Sequence, residues 1–590
     1  MLQKLGRTPI LLTIPALALL LVFFGLPIVQ LFLTSLNAPA FSLVNYWAFF
    51  EVSANVRVLF QTIEVSAVAT MICLIIGYPT AYLIVAASKG LRTVLIVLVF
   101  IPYLTSGLAR TYAWIVILGD RGLINNLLLD LGLLSSPLPL IYNRMAVYIG
   151  MVHIMLPVML LPLISVMLGI DKSLVAAARS MGARPFAAFW RVFFPLTLPG
   201  VRSGALLVFV ICLGFYITPQ ALGGLRDAML STFLASQVET AFNLESIAAT
   251  AFILLGVAAL VLSMFGLDIS GKTALAAQPA GKSWSRALPL LGGLTRYLSE
   301  LSTHYRARRW TASLYKAGRE SLGWKTLGVA FVVLVLFYLL FPSFVVIMMS
   351  FSPGASLEFP PSSLSLQWYR SFFNDPTWTS AAWMSVEIGA AVAFFSAIMG
   401  TLAAYGFSRT LPRLRSFLTM VMLAPITFPV IVVGVAVYLG LVKFRLLETM
   451  TGIVLAHSIG SMSYVVVIVS ATLANFDQRL EQAAMSMRAG PVQTFIRVTL
   501  PLIRPGIIGG AVFAFIHSFD EVVITSLVSG FSIRTLPLKM WEDMRHQLDP
   551  TIAAVASLLT LLPILWLITL YATWWRSRPN ARLALPDPAA

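Results

Sequence analysis

The chain has 590 residues, 59% of them hydrophobic and 11% charged, with a mean hydropathy of +0.90. That excludes an ordinary soluble enzyme, about a quarter of whose residues carry charge, and describes a polytopic membrane protein. Forty Lys and Arg against 23 Asp and Glu give +17, which in a soluble chain would point to nucleic acid but in a membrane protein reports the side on which loops lie.

A membrane-spanning helix needs roughly 20 predominantly apolar residues. Such windows fall near 10–34, 58–88, 92–118, 145–169, 200–224 and 246–268, and again near 326–350, 380–408, 414–440, 452–473, 506–530 and 552–574. The first follows Lys4 and Arg7 but is longer than a signal-peptide core, so a retained helix is expected there. Cys73 and Cys212 each lie inside an apolar run and define neither a disulfide framework nor a Cys-based metal site. The segment 269–325 carries ten Lys and Arg and only Glu300 and Glu320 as acids, the composition of a cytoplasmic connector. The expected organisation is a first transmembrane domain over 1–268, the linker over 269–325 and a second domain over 326–590.

The two domains repeat one another. Segments 174–200 and 480–506 agree at 14 of 27 positions at a constant offset of 306. The second helices align at an offset of 323, pairing Glu64 with Glu387, Gly77 with Gly400, Ala81 with Ala404 and Tyr82 with Tyr405. Pro27 and Ser35 in the first window match Pro342 and Ser350 in the seventh. Six spans per repeat give both halves the same orientation, so a pseudo-two-fold axis along the membrane normal relates them, with any substrate path on that axis.

The duplicated segment lies between the fourth and fifth spans of each half. Ala, Met and Arg favour a short amphipathic helix on the cytoplasmic face, and the Pro-x-x-x-Pro-Gly run at 195–200 is expected to stop it and turn the chain back into the membrane. An interfacial anchor helix is the plain alternative, but 14 identities exceed what anchoring demands.

These segments resemble the cytoplasmic E-A-A-x-x-x-G-x9-I-x-L-P loop of permease subunits of binding-protein-dependent ABC importers. The first half looks like one permease of the spermidine/putrescine type, through Arg110-Thr111-Tyr112-Ala113-Trp114, Gly122-Leu123-Ile124-Asn125 and Leu222-Gly223-Gly224. The second half looks like its partner, through His457, Ser518-Phe519-Asp520-Glu521 and Thr535-Leu536-Pro537. The resemblance implies an all-α membrane protein of the type I importer (MetI-like) fold, with twelve transmembrane helices as two pseudo-two-fold-related six-helix repeats. It also implies two copies of a cytoplasmic ABC ATPase, which carry ATP and Mg, and an extracytoplasmic solute-binding protein. The bacterial inner membrane is the implied location, with both termini cytoplasmic.

On this resemblance the ATPase-coupling residues are Ala177, Ala178, Met181, Gly182, Ala183, Phe189 and Arg191 in the first copy. In the second they are Ala483, Ala484, Met487, Ala489, Phe495 and Arg497. The motif Glu positions are instead Ala176 and Gln482, with Glu481 one place early; the motif Gly is Gly182 in one copy and Arg488 in the other, where Gly490 is an alternative source of the turn.

Ionisable side chains at mid-bilayer cost about 2.5–3.5 kcal/mol each on insertion scales, so they face cavities or partners. Leaving aside Asp268 at the very end of the sixth, four acids fall inside the windows: Glu64, Glu387, Asp520 and Glu521. Lining a path, they would attract a small cation such as a polyamine, with Tyr112, Trp114 and Tyr216 as cation–π candidates. The bland reading makes them structural, bonded to neighbouring helices or to Arg110. His153 and His457 have no ligands at metal spacing and are expected to pack. No cofactor or metal site and no catalytic constellation is expected in this chain.

Relatives of similar appearance handle ferric ion, aminoalkylphosphonate or other small solutes, which are the alternative cargoes. A secondary carrier of the major facilitator kind shares the six-plus-six plan but has no reason to keep the duplicated loop. One motif argues otherwise: Gly266 to Thr273 fits the phosphate-loop pattern G-x4-G-K-[ST], but it follows a spanning helix instead of a strand, so its backbone is not set to cradle phosphate. The purified chain alone is therefore expected to show no specific ATP binding by equilibrium titration; saturable micromolar binding would overturn that.

Overall fold

In hydrocarbon a helix satisfies its backbone polar groups internally, and the apolar windows fold accordingly. The computed structural model describes residues 9–240, 243–264, 322–354, 359, 361, 363–530, 532–546 and 549–576, and no strand occurs among them. The first half contains α1 (Ile10–Ser35), α2 (Ser53–Ala86), α3 (Lys89–Leu104), α4 (Gly107–Leu118), α5 (Arg144–Gly169), the short α6 (Lys172–Ser180), α7 (Pro185–Leu213) and α8 (Leu244–Met264). The second half contains α9 (Leu322–Met349), α10 (Pro376–Ser408), α11 (Pro412–Thr427), α12 (Val430–Phe444), α13 (Met450–Ala474), the short α14 (Arg479–Ser486), α15 (Pro491–Phe519) and α16 (Thr551–Arg576). Counting α3–α4 and α11–α12 as one broken span each, these account for the twelve predicted windows. The linker proposed over 269–325 lies outside the described residues except where it opens α9, and so does the run 266–273.

Three expectations change. The windows 92–118 and 414–440 are not straight helices: α3 meets α4 at 90° and α11 meets α12 at 100°. The fifth spans begin earlier than their windows, at Pro185 and Pro491, and end at Leu213 and Phe519. The prolines at 195, 199, 501 and 505 do not stop a helix. Pro185 and Pro491 start one, where a missing N–H costs nothing. A π-helical turn in each copy, Phe189–Phe193 and Phe495–Thr499, immediately precedes Pro195 and Pro501; the wider turn moves the carbonyl that a proline ring would otherwise strike.

Each half is built on three mutually packed helices, α2 with α5 and α7, and α10 with α13 and α15. Small residues allow the close crossings: a Cβ on Gly77 would lie 3.2 Å from Met159 Cγ, and one on Gly400 would lie 2.8 Å from Val465 Cβ. The pseudo-symmetry extends to side chains. Ser35 and Tyr46 share a hydrogen bond of 2.8 Å, as do Ser350 and Tyr369. The Leu230 N–H donates to Thr62 Oγ1 at 2.7 Å, and the Leu536 N–H to Ser385 Oγ at 2.7 Å.

The first helices are exchanged. α1 packs on α10 and α12 of the other half before reaching α8 of its own, whereas α9 packs on α2, α3 and α4 before α16. Leu20 and Phe24 thereby share a core with Phe407, Val433, Val437 and Leu441. Reciprocally, Val335 and Leu339 enter the core of Val65, Met151 and Leu156. Tyr338 donates to the Ile149 carbonyl at 2.6 Å. Nothing in the windows announces this exchange.

Gly400→Ala is expected to cost about 1–3 kcal/mol by overpacking the α10–α13 crossing, whereas Gly90→Ala, with nothing within 4 Å, is expected to be neutral. Thermal midpoints of the purified variants check the contrast.

Candidate functional site

The break between α3 and α4 frees backbone donors, and the other half supplies their acceptor. Asp520 is the residue at which α15 ends. It accepts the hydroxyl hydrogen of Ser106 on Oδ1, and on Oδ2 the Gly107 N–H at 3.0 Å. The carboxylate thus sits at the N-terminus of α4, where the helix dipole favours negative charge. Arg110 flanks it: a Cβ on Gly107 would be 3.7 Å from Asp520 Oδ2 and 3.9 Å from Arg110 Nη2. The Arg110 Nε–H donates to the Ser106 carbonyl at 3.4 Å, while its buried Nη1 has no partner among the described residues.

The pseudo-symmetric contact has no such chemistry. Gly214 corresponds to Asp520, and Pro429-Val430 to Ser106-Gly107. A Cβ on Gly214 would lie 3.0 Å from Pro429 Cα, so backbone meets backbone and no carboxylate fits. The junction of the halves therefore carries its acid on one side only.

Glu521 is buried and accepts the Ile524 N–H on Oε1 at 2.8 Å, capping the short helix Val523–Val528. His457 ties the same turn together, with Nδ1 2.9 Å from Ser518 Oγ and Nε2 3.0 Å from Thr525 Oγ1. His153 contacts the Leu339 carbonyl at 3.1 Å. Both histidines are packed and hydrogen-bonded, and no group of three metal-ligating side chains occurs among the described residues.

Of the aromatic candidates, Tyr112 and Trp114 lie on α4 beyond the Asp520 contact. Both are buried, and neither the Tyr112 hydroxyl nor Trp114 Nε1 has a hydrogen-bond partner among the described residues. The Trp114 ring lies 5.6 Å from His153 and 5.7 Å from Tyr338. Tyr216 packs 5.6 Å from Trp541.

Glu64 and Glu387 are not brought together, since α2 and α10 pack in separate bundles. Each lies on a stripe whose large side chains are exposed: Phe60, Met71 and Ile75 beside Glu64, and Trp383, Phe394 and Ile398 beside Glu387. Glu64 pairs with Arg144 at 3.3 Å; Arg144 also reaches Asp227 at 3.1 Å and donates to Gln61 Oε1 at 2.8 Å. The equivalents of Gln61, Arg144 and Asp227 are Met384, Met450 and Ile533. Met384 and Ile533 pack with Ile388, Val392 and Ile453 in an apolar cluster. The same place in the fold is ionic in one half and oily in the other.

The duplicated segments separate into anchors and an exposed face. Asp171 caps α6 by accepting the Ser173 N–H at 2.8 Å, and Asp477 accepts the Arg479 N–H at 2.9 Å. Hydrogen bonds from the Ser173 side chain and backbone hold the Asp171 carboxyl below its ordinary value. Ala178 and Ala484 are buried, whereas Ala177, Gly182, Arg191, Ala483 and Arg497 are exposed and Ala183 and Ala489 half-buried. Met181 and Met487 are 83% and 79% exposed, adaptable thioethers at the tips. Phe189 and Phe495 anchor the segments on Tyr82 and Tyr405, at ring separations of 5.7 and 4.8 Å. Gly182 turns the chain with φ +87°, and Arg488 does the same with φ +66°; Gly490, the alternative source, has φ −68° and supplies no left-handed turn.

The second segment has an additional tether. Buried Glu481 receives Arg409 Nη2 at 2.5 Å and the Thr499 hydroxyl at 2.5 Å. The first copy has Val175, Ala86 and Phe193 at those places and holds its segment by the Tyr82–Phe193 contact and a Tyr78–Thr197 hydrogen bond of 3.1 Å. The displaced acid at 481 was the one sequence signal for this pairing.

The family model for the binding-protein-dependent transport system inner membrane component matches twice, over residues 73–270 and 396–578. Among curated relatives, the spermidine/putrescine transport system permease protein PotB of Haemophilus influenzae is 38% identical over 181 residues, which is 31% of this chain and 63% of that protein. PotB of Escherichia coli K12 is 33% identical over 197 residues, 33% of this chain and 71% of its own. The putrescine transport system permease protein PotI of the same organism is 34% identical over 203 residues, 33% and 72%. The matched region thus spans less than two thirds of the Haemophilus protein and about a third of this chain. With two matches to one family model and two copies of one bundle, the chain belongs to the family of inner membrane components of binding-protein-dependent transport systems, and it holds the family's unit twice.

Proposed function

We propose that the chain is the whole translocation unit of an ATP-driven importer, carrying a small cation of the polyamine class from a solute-binding protein outside to the cytoplasm. ATP and Mg act on two copies of a cytoplasmic ATPase seated on the exposed faces of α6 and α14. The observation that carries the reading is the Asp520 carboxylate at the junction of the halves, bonded to the opened end of α4 from the opposite half.

The geometry suits alternating access. Rocking the halves apart withdraws Asp520 from Ser106 Oγ–H and the Gly107 N–H, two donors that stabilise its charge. A substrate ammonium offers N–H donors and a compensating charge at that moment, so the cation lowers the cost of opening. Glu64, already paired with Arg144, and Glu387 lie on stripes of exposed apolar side chains, so their contribution to attracting the cation is the weaker one. The names of PotB and PotI, which specify spermidine and putrescine for those proteins, support the substrate class.

One observation favours a second reading. The buried Arg110 Nη1 has no partner among the described residues and would suit a cargo with an anionic group, such as an aminoalkylphosphonate.

In proteoliposomes holding the complete importer, Asp520→Asn is expected to cut polyamine uptake roughly tenfold to a hundredfold, the worth of a hydrogen bond to a charged group. The Glu64→Gln, Glu387→Gln double variant slows it less. Unchanged uptake by Asp520→Asn would remove the junction from the path. Competition by aminoalkylphosphonates but not by diamines would select the second reading.

A further inference from the structure

The two cytoplasmic segments differ at one place that the duplication does not explain. Between α14 and the first turns of α15 lies a cleft of about 340 Å³ whose lining includes Arg488, Gln493, Thr494 and Arg497. The corresponding residues of the first copy are Gly182, Ala187, Ala188 and Arg191. One polar side chain there has become four.

The cleft is rich in donors and poor in negative charge. Arg488 and Arg497 are exposed, and no ion pair joins either of them to an acid among the described residues. The nearby acid, Glu481, is engaged by Arg409 and Thr499. Thr494 is 3% exposed, and its hydroxyl has no hydrogen-bond partner among the described residues. Two guanidinium forks and an amide line a space that suits a planar carboxylate and repels a cation, with the Thr494 hydroxyl buried beneath.

The backbone supplies an independent argument. Arg488 holds φ +66°, where its counterpart is Gly182 at φ +87°. A side chain there costs free energy that glycine avoids. Strain of this kind persists where a side chain is needed.

We propose that this cleft receives the carboxylate of an Asp or Glu side chain of the ATPase subunit docked on α14. The two docking sites of the chain then differ in where their charge lies: around Met181 the exposed arginines are Arg179, Arg184 and Arg191, whereas beside Met487 they are Arg488 and Arg497, which line the socket. The proposal rests on the importer reading above, since it needs an ATPase at α14.

The test is retention of the ATPase on the affinity-purified full chain in detergent, at low and high salt. Arg488→Gly removes the charge while relieving the strained turn, so it is expected to keep or raise the thermal midpoint yet retain the ATPase about tenfold less tightly. Arg488→Lys, which keeps a cation, is expected to preserve most of the retention, and Arg497→Gln to weaken it. If the wild-type chain retains no ATPase at all, the importer reading itself fails. If the wild type retains it and Arg488→Gly does so equally well, the socket is refuted. Loss of binding to phosphatidylglycerol vesicles in Arg488→Gly, with ATPase retention unchanged, would assign the cleft to a lipid headgroup and overturn the proposal.

Discussion

The rest of this structure depends on the rule that backbone polar groups buried away from water must find partners. Ten of the twelve spans obey it by staying helical. The other two break, at 105–106 and 428–429, and a break inside a membrane protein is tolerable only within protein. Both breaks are accordingly covered by the turn that ends a fifth span from the opposite half, one by Asp520 and the other by Gly214. At the first break a local backbone requirement, met by Asp520, thus becomes a contact between the halves.

Duplication preserved the groups that serve backbone geometry and let the rest diverge. The hydroxyl pairs Ser35–Tyr46 and Ser350–Tyr369, the caps on Leu230 and Leu536 and the π-helical turns all come in twos. Several of the side chains that carry charge do not. Asp520 faces glycine across the pseudo-axis, the Arg144 cluster is answered by aliphatic packing, and the Glu481–Arg409 pair is answered by aromatics. The two halves thus present chemically different surfaces on a symmetric frame.

The repeat, the number of spans and the cytoplasmic segments were legible because hydrophobic length and sequence identity act locally. The bends were not: Ser106 and Pro429 sit within continuous apolar windows, and what covers each break, Asp520 for one and Gly214 for the other, comes from far along the chain. The pairing of Glu64 with Glu387 in sequence did not become proximity in space, because equivalence under a pseudo-axis places residues at equal distances from it without making that distance short. The prolines misled for a related reason. Their effect depends on the turn before them, and a π-helical turn leaves little trace in composition.

The exchange of first helices bears on how the molecule is made. The apolar face of α1 is covered by α10 and α12, synthesised some four hundred residues later. At ~5–20 residues per second, a newly inserted α1 waits roughly 20–80 s for its permanent neighbours. During that interval the first half is in the bilayer with the α1 face that does not pack on α8 uncovered, open to membrane proteases and to the wrong partners. Carrying both halves on one ribosome bounds that wait and delivers them in equal numbers, which two separately translated half-chains would have to achieve by diffusion.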